Sequence, residues 1–280
     1  MTDFAGLRVL ALESRRAEEI ARLITNYGGV ATVAPSMREV PVESNAEALA
    51  FVQALLEGRF EVVIFLTGVG TRALVRVVES AFPRERFVEA LRRVAVVARG
   101  PKPAAVLREL GVPVTVAVPE PNTWREVLAA LDRHAETLLL KERRVAVQEY
   151  GASNPELLAG LAARGAEVTP VRVYQWALPE DTAPLRAAIE AIVRGEIDVV
   201  LFTTSIQVTH LLQVAAETNL EQPLRRAFEH MLIASIGPTT SEALQEHGFA
   251  ADLEPTHPKM GFLVKEAAEC SAELLSRKRA

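Results

Sequence analysis

The stretch Thr67-Gly68-Val69-Gly70-Thr71-Arg72-Ala73 carries the densest chemistry in the sequence. Its G-x-G-x-x-A spacing directly follows the apolar run Val62–Leu66. That is the pattern of a turn whose glycines let a pyrophosphate approach the backbone. Two features weigh against a dinucleotide. The next apolar run, Val94–Ala98, ends at Arg99-Gly100 and not at the acid that would hold a ribose hydroxyl. The corresponding stretch of the second half, Thr204-Ser205-Ile206-Gln207, has neither glycine. A turn that cradles some other anion is the better reading. A dinucleotide enzyme stays as a competitor, to be tested by NAD or NADP binding. Arg15, Arg16, Arg72, Arg99 and Lys102 could pair with ligand carboxylates or simply be solvated.

Tyr150 and Tyr174 are two of only three tyrosines. A phenol is neutral at pH 7 and can donate a hydrogen bond or a proton; packing is the alternative role. Tyr174 lies in Val171-Arg172-Val173-Tyr174-Gln175-Trp176, at a point where the chain could cross between lobes. The five histidines are scattered and Cys270 is the single cysteine. No metal-ligand spacing and no G-x-S-x-G elbow is present, so neither a metal site nor a Ser/His/Asp hydrolase is expected.

The elements that must position these residues are readable as a pattern. Leu7–Leu12, Val62–Leu66, Val94–Ala98, Val145–Val147, Val199–Phe202 and Leu232–Ile236 read as buried strands. Between them lie Ala/Leu/Glu/Arg-rich stretches of helical spacing, such as 17–24, Pro155–Arg164 and Ser241–His247. Alternation of this kind predicts parallel βαβ units. Gly111, Gly165 and Gly248 stand where helix C-termini favour glycine, and extended segments follow at Val112–Val118, Val168–Val173 and Phe249–Leu253. Ligands of doubly wound sheets bind beyond the carboxyl ends of the strands. Those ends are Glu13–Arg16, Thr67–Arg72, Arg99–Pro103, Glu149–Asn154, Thr203–Gln207 and Gly237–Thr240. Several precede a helix, whose free N–H groups suit carboxylates or phosphates; ordinary N-capping is the plainer reading of their Ser and Thr residues.

The chain is written twice. Glu61–Val75 aligns without gaps on Asp198–Leu212, with five identities in fifteen positions. Gly100–Gly111 aligns on Gly237–Gly248, with five in twelve. Arg8-Val9 opens a strand 21 residues before Gly29, as Arg144-Val145 does before Gly165. The order is A-B-C-A′-B′-C′. A cut near residue 140 would give two contiguous lobes; an inserted arrangement, with A packed on B′ and C′, is equally compatible. The segments Ser36–Pro41 and Tyr174–Pro179 are the candidate crossings.

At 280 residues the chain suits two domains, and 49% hydrophobic residues with few aromatics suit helices on a Val-rich sheet. A net charge of −5 argues against a nucleic-acid binder. No apolar run has the length of a membrane helix. Met1-Thr2-Asp3 lacks the marks of a secretory leader. With the lone cysteine, this makes a cytoplasmic location the expectation. The basic tail Leu275–Ala280 is expected to fray.

Taken in order, VVIFLTGVGTRAL, VARGPKPAAVLRELG, EYG, VRVYQW, VVLFTTSIQV and IGPTTSEALQEHG resemble the uroporphyrinogen-III synthase family over roughly residues 6–270. The resemblance implies two similar flavodoxin/Rossmann-like α/β lobes, each a parallel sheet flanked by helices. Residues 1–36 would join 178–280 in one lobe, with 42–172 inserted as the other and 37–41 and 173–177 as extended linkers. It implies a cleft active site between lobes and hydroxymethylbilane, a linear tetrapyrrole bearing an acetate and a propionate on each ring, as substrate. The reaction would lose the terminal hydroxyl as water, form an azafulvene, and close the ring through a spiro intermediate that inverts the last pyrrole. It implies no cofactor and no metal. Tyr174 matches the family's tyrosine, thought to assist loss of the hydroxyl, and is the catalytic candidate. Substrate-binding candidates are Arg15, Thr67, Gly68, Val69, Gly70, Arg99, Gly100, Lys102, Tyr150, Gly151, Thr204, Ser205, Ile206, Gln207, Gly237 and Thr239. Trp176 has no assigned role. A monomer is expected, with passing contact to hydroxymethylbilane synthase and none to nucleic acid or membrane. The alternative is a non-catalytic tetrapyrrole or small-anion sensor on the same scaffold.

Overall fold

The computed structural model describes residues 3–40, 45–149, 151 and 153–279. In chain order, β1 (Arg8–Ala11), α1 (Ala17–Asn26), β2 (Val30–Val33) and β3 (Arg38–Val40) come first. Then follow α2 (Ala46–Leu56), β4 (Val62–Phe65), α3 (Gly68–Glu79), α4 (Arg84–Leu91), β5 (Ala95–Ala98), α5 (Pro101–Glu109) and β6 (Val116–Ala117). The middle continues with α6 (Trp124–Arg133), β7 (Arg144–Gln148), α7 (Pro155–Ala163), β8 (Glu167–Val171) and β9 (Gln175–Ala177). The chain closes with α8 (Ala183–Val193), β10 (Val199–Phe202), α9 (Ser205–Glu217), α10 (Glu221–Phe228), β11 (Leu232–Ser235), α11 (Pro238–Glu246) and α12 (Met260–Arg279).

Two compact units result. One comprises the chain up to Arg38 together with Ala177 onward; the other is Glu39–Trp176. The first holds a four-stranded sheet of order β11-β10-β1-β2, the second a five-stranded sheet of order β6-β5-β4-β7-β8, and both are parallel. The crossings β3 and β9 pair with each other as a two-stranded sheet.

The apolar runs are continuous because both faces of each sheet are covered. In β4, Val63 and Phe65 face one core cluster while Val62 and Ile64 face the other. In β10, Val200 and Phe202 divide from Val199 and Leu201 in the same way. Each unit therefore has two buried clusters of its own.

The sheet orders show how the duplication is folded. In the first unit β1, of segment A, pairs with β10, of segment B′, with Val9 opposite Val199. In the second unit β7, of segment A′, pairs with β4, of segment B, with Val145 opposite Val62. The halves have exchanged their A segments. An ion pair repeats across each of these junctions. Arg8 Nε donates to Asp198 at 2.9 Å and its backbone N–H at 3.0 Å. Arg144 gives Glu61 its N–H at 2.8 Å and its guanidinium at 2.9 Å. The neighbouring arginine holds both carboxyls below their usual range, Asp198 the more strongly because Arg279 donates to it as well.

Three expectations need adjustment. Val112–Val118 pairs only at Val116–Ala117, and Phe249–Leu253 is reduced to one bridge, Leu253 opposite Ala234. The tail does not fray over its described residues: α12 runs to Arg279. Lys278 Nζ donates to Asp252 at 2.6 Å and to the carbonyls of Met231 and Phe228 at 2.8 and 3.1 Å. Charged residues that looked destined for solvent are used to satisfy carbonyls at the end of α10 and an acid beside β11.

Candidate functional site

The carboxyl edge of the five-stranded sheet gathers the residues with the most chemical potential. Past the end of β4, Thr67 caps α3: its Oγ1 accepts the Gly70 N–H at 3.0 Å. Its carbonyl accepts the Thr71 hydroxyl at 2.7 Å and the Thr71 N–H at 2.9 Å. Tyr174 lies between β8 and β9, 6% exposed. Its hydroxyl is 3.4 Å from Thr67 Oγ1. Trp176 meets the tyrosine ring edge-on, centroids 5.4 Å apart at 89°. Gly151 explains how the indole fits. It has φ +61° and bridges Gln175, and a Cβ on it would lie 1.8 Å from Trp176 Cδ1. Only glycine accepts both that backbone and that neighbour.

The two glycines after Thr67 sit tightly against other segments of the protein. A Cβ on Gly70 would lie 2.1 Å from Gln148 Nε2, and one on Gly68 2.9 Å from the Lys102 carbonyl oxygen. Gln148 ends β7, is 1% exposed, and spans the loops: its amide donates to the Glu149 carbonyl, and its Oε1 lies 3.5 Å from the Thr67 N–H. The G-x-G spacing thus reflects close packing between segments. In the other unit the sequence-equivalent positions are Leu12 and Gln207. There the amide comes from α9 itself: Gln207 Oε1 accepts from Thr203 N at 2.7 Å and its Nε2 donates to Thr203 Oγ1 at 2.9 Å.

Two carboxylates are held just ahead of the helices α1 and α7. Glu13 accepts from the N–H groups of Arg15 and Arg16 at 3.1 and 3.2 Å and from Thr203 Oγ1 at 2.7 Å. Glu149, equivalently placed after β7, accepts from Ser153 Oγ at 2.7 Å and Asn154 N at 3.4 Å. Both are buried. The loops after β4, β5, β10 and β11 open the further helices α3, α5, α9 and α11.

Three comparisons bear on what this arrangement serves. The family model described as Uroporphyrinogen-III synthase HemD matches residues 18–265. The chain belongs to the uroporphyrinogen-III synthase family. The Bacillus subtilis "Uncharacterized protein YjjA" is 32% identical over 265 residues, 94% of this chain and 96% of its own length. A Methanothermobacter thermautotrophicus protein provisionally named a uroporphyrinogen-III synthase is 31% identical over 237 residues, 84% of this chain and 87% of its own. A mutant uroporphyrinogen III synthase from the extremely thermophilic bacterium Thermus thermophilus matches in structure with a TM-score of 0.72 at 26% identity, over 97% of this chain and 100% of that one.

For this member of the uroporphyrinogen-III synthase family, the sequence candidates sort by unit. Thr67, Gly68, Val69, Gly70, Gly151 and Tyr174 gather at one edge of the inserted unit, with Arg99, Gly100 and Lys102 opening α5 beside them. Arg99 Nε donates to the Leu66 carbonyl at 3.1 Å, and Lys102 is exposed. Thr204, Ser205 and Ile206 are half-buried at the start of α9, and Gly237 and Thr239 open α11 in the discontinuous unit. Gln207 is fully buried and its amide is spent on Thr203. Arg15 is exposed. Arg72 is engaged by Glu109 at 2.8 Å, and Arg16 by Glu19. The N-capping role expected of Ser and Thr holds for Thr67; Thr204 makes no side-chain cap. Tyr150 lies outside the described residues.

Sequence reasoning gave no role to Gln148 or Trp176, and named Glu149 only as the start of a strand-end loop. A glutamine ending an apolar strand was the available signal for the first. The two-residue spacing from Tyr174, one face of an extended segment, was the signal for the second. His210 is buried on α9, 2.7 Å from the Ser36 carbonyl, and burial pushes its pKa down. It holds the segment entering β3 and is neutral at pH 7. Among the described residues no group of three His, Cys, Asp or Glu side chains could hold a metal ion, and no helix is long and apolar enough to cross a membrane.

Proposed function

We propose that this chain is a uroporphyrinogen-III synthase, closing hydroxymethylbilane with loss of water and inversion of the last pyrrole ring. The observation that carries the reading is Tyr174: a phenol enclosed by Trp176 yet beside the Thr67 hydroxyl at the carboxyl edge of the sheet. Loss of water and carbon–carbon closure leave the oxidation level of the substrate unchanged, so the chemistry calls for no redox partner.

The terminal hydroxyl is a poor leaving group until it gains a proton. Tyr174 is the group that supplies it, or a strong hydrogen bond, as the C–O bond breaks. The pyrrole nitrogen pushes electrons toward the departing carbon and gives up its own proton, leaving the azafulvene. Within the inserted unit, carboxylates of the substrate are taken by the backbone N–H groups that open α3 and α5, with Lys102 as the exposed cation at the start of α5. Ring closure without enzyme gives the uninverted isomer. The protein's larger task is therefore to hold the bilane so that the substituted carbon attacks, while keeping water from the azafulvene.

The test is a coupled assay. Porphobilinogen and its deaminase generate the substrate, this protein is added, and the oxidised products are separated by isomer. Predominantly type III product supports the synthase. Only type I product from folded protein overturns it and moves the assignment to a binding or sensor role on the same scaffold.

A further inference from the structure

We propose that Thr67 is a positioning residue that donates its hydroxyl hydrogen to the phenol oxygen of Tyr174, so that the oxygen can carry negative charge as Tyr174 passes its own hydrogen to the leaving hydroxyl. This rests on the reading of Tyr174 as the proton donor and assigns Thr67 a task other than holding substrate.

The contact has no intrinsic direction; the reaction assigns it, because Tyr174 spends its one hydrogen on the leaving hydroxyl and can then only accept from Thr67. A threonine hydroxyl has one hydrogen and two lone pairs. One lone pair accepts the Gly70 N–H at 3.0 Å, which ties the side-chain rotamer to the first turn of α3. Thr71 fastens the Thr67 carbonyl through both its N–H and its hydroxyl, so the residue cannot swing. Among the described residues, the other polar side-chain atom within reach of Thr67 Oγ1 is Tyr174 Oη at 3.4 Å, where either oxygen can donate. The tyrosine is equally fixed. Its ring lies in the core cluster that includes Leu74 and Val173, with Trp176 against it edge-on. Gly151 leaves the space that the indole fills. The contact is longer than the usual 2.7–2.8 Å of an O–H···O bond. Catalytic hydrogen bonds are often long in the free enzyme and tighten as charge develops.

In the step itself, the hydrogen of Tyr174 moves to the hydroxyl oxygen of the terminal hydroxymethyl group. The C–O bond breaks with its electrons leaving on water, and the pyrrole N–H proton is released to restore the phenol. Thr67 donates throughout and exchanges no atom. Its oxygen supports the phenolate character that exists only between those two transfers, so its effect belongs on kcat and not on substrate binding.

The experiment compares Thr67→Val, Thr67→Ser, Thr67→Asp, Tyr174→Phe and the double variant Thr67→Val/Tyr174→Phe in the coupled assay, with the full chain labelled at the ζ-carbon of tyrosine for NMR. Thr67→Val is expected to lower kcat by about tenfold or more, less than the about 10²–10³-fold of a donor aimed directly at the substrate because Thr67 acts through Tyr174, with KM within about twofold. Thr67→Ser restores kcat. Thr67→Asp keeps an acceptor for the α3 N-terminus but has no hydrogen to give; its kcat falls while its melting temperature holds, which separates the effect from loss of the cap. Thr67→Val adds nothing to Tyr174→Phe, and the Tyr174 ζ-carbon resonance moves in Thr67→Val but not in Thr67→Ser. Wild-type kcat in Thr67→Val, or a loss that multiplies fully with that of Tyr174→Phe, overturns the inference while leaving Tyr174 as donor. A fully active Tyr174→Phe overturns the donor reading itself, and this inference with it.

Discussion

Tyr174 combines two properties: an enclosed ring and a hydroxyl beside another hydroxyl at a helix start. Removing only the oxygen separates them. Tyr174→Phe keeps the Trp176 contact and the cluster around it. Its melting temperature is expected within a few degrees of wild type, while kcat for type III product falls by about 10²-fold or more, in the range of general acid catalysis. Isomer-resolved steady-state kinetics with a thermal melt on the same sample checks both. A large drop in melting temperature with proportionate loss of activity would show that the residue is packing. The tyrosine stood out in the sequence because tyrosines are few and this one stands at a crossing, and only the family resemblance made it a catalytic candidate. Its partner was not legible, since Thr67 and Tyr174 are 107 positions apart.

At the scale of elements, β4–α3 and β10–α9 carry the same strand–helix unit with two different closures. In one, Gly70 makes room for Gln148; in the other, Gln207 supplies the amide and Leu12 stands where Gln148 would. Gly70→Ala is expected to cost about 1–3 kcal/mol through overpacking. Gly70→Gln/Gln148→Leu, which imports the closure of the other unit, should be more stable than the sum of its single variants by about 0.5–3 kcal/mol in a double-mutant cycle. Chemical denaturation of the four proteins measures it, and strict additivity would mean the two sites do not share space. The strand-start ion pairs make a second prediction at this scale. Arg8 and Arg279 hold the Asp198 carboxyl well below its usual range. Its contribution is therefore complete above the ordinary aspartate value of about 4 and is lost as pH falls below that toward the folded value. Asp198→Asn should cost about 1–3 kcal/mol at pH 7, as charged hydrogen bonds do, and the gap to wild type should close as pH falls below about 4. A gap independent of pH between 7 and 3 would contradict the electrostatic account.

For the whole molecule, the exchange of A segments dictates how the chain can be divided. All five strands and both core clusters of the inserted unit come from residues 39–176. That fragment is expected to unfold cooperatively on its own. A cut near residue 140, which the repeat boundaries suggest, strands β1 and β2 apart from β10 and β11, and β4 to β6 apart from β7 and β8. Fragments 1–140 and 141–280 should each lack native circular dichroism and a cooperative melt alone. Folding of either by itself would mean that the observed pairing is dispensable.

The sequence by itself determined the duplication, the strand–helix alternation, the burial of both sheet faces and the loops that open helices. All of these are local or periodic, and Val/Ile/Leu runs flanked by Gly and Thr leave few other ways to bury their surface. Tertiary structure alone decided which repeats share a sheet. A run such as Val62–Phe65 pairs as well with one short valine-rich strand as with another, and repeats with strands of the same apolar pattern offer similar pairing surfaces. It also decided the uses of the polar residues. Gln148 against Gly70, Trp176 over Gly151, Glu13 at Thr203, and Lys278 at Asp252 are contacts between distant segments, whose chemistry is visible in the chain but whose partners exist only once it is folded.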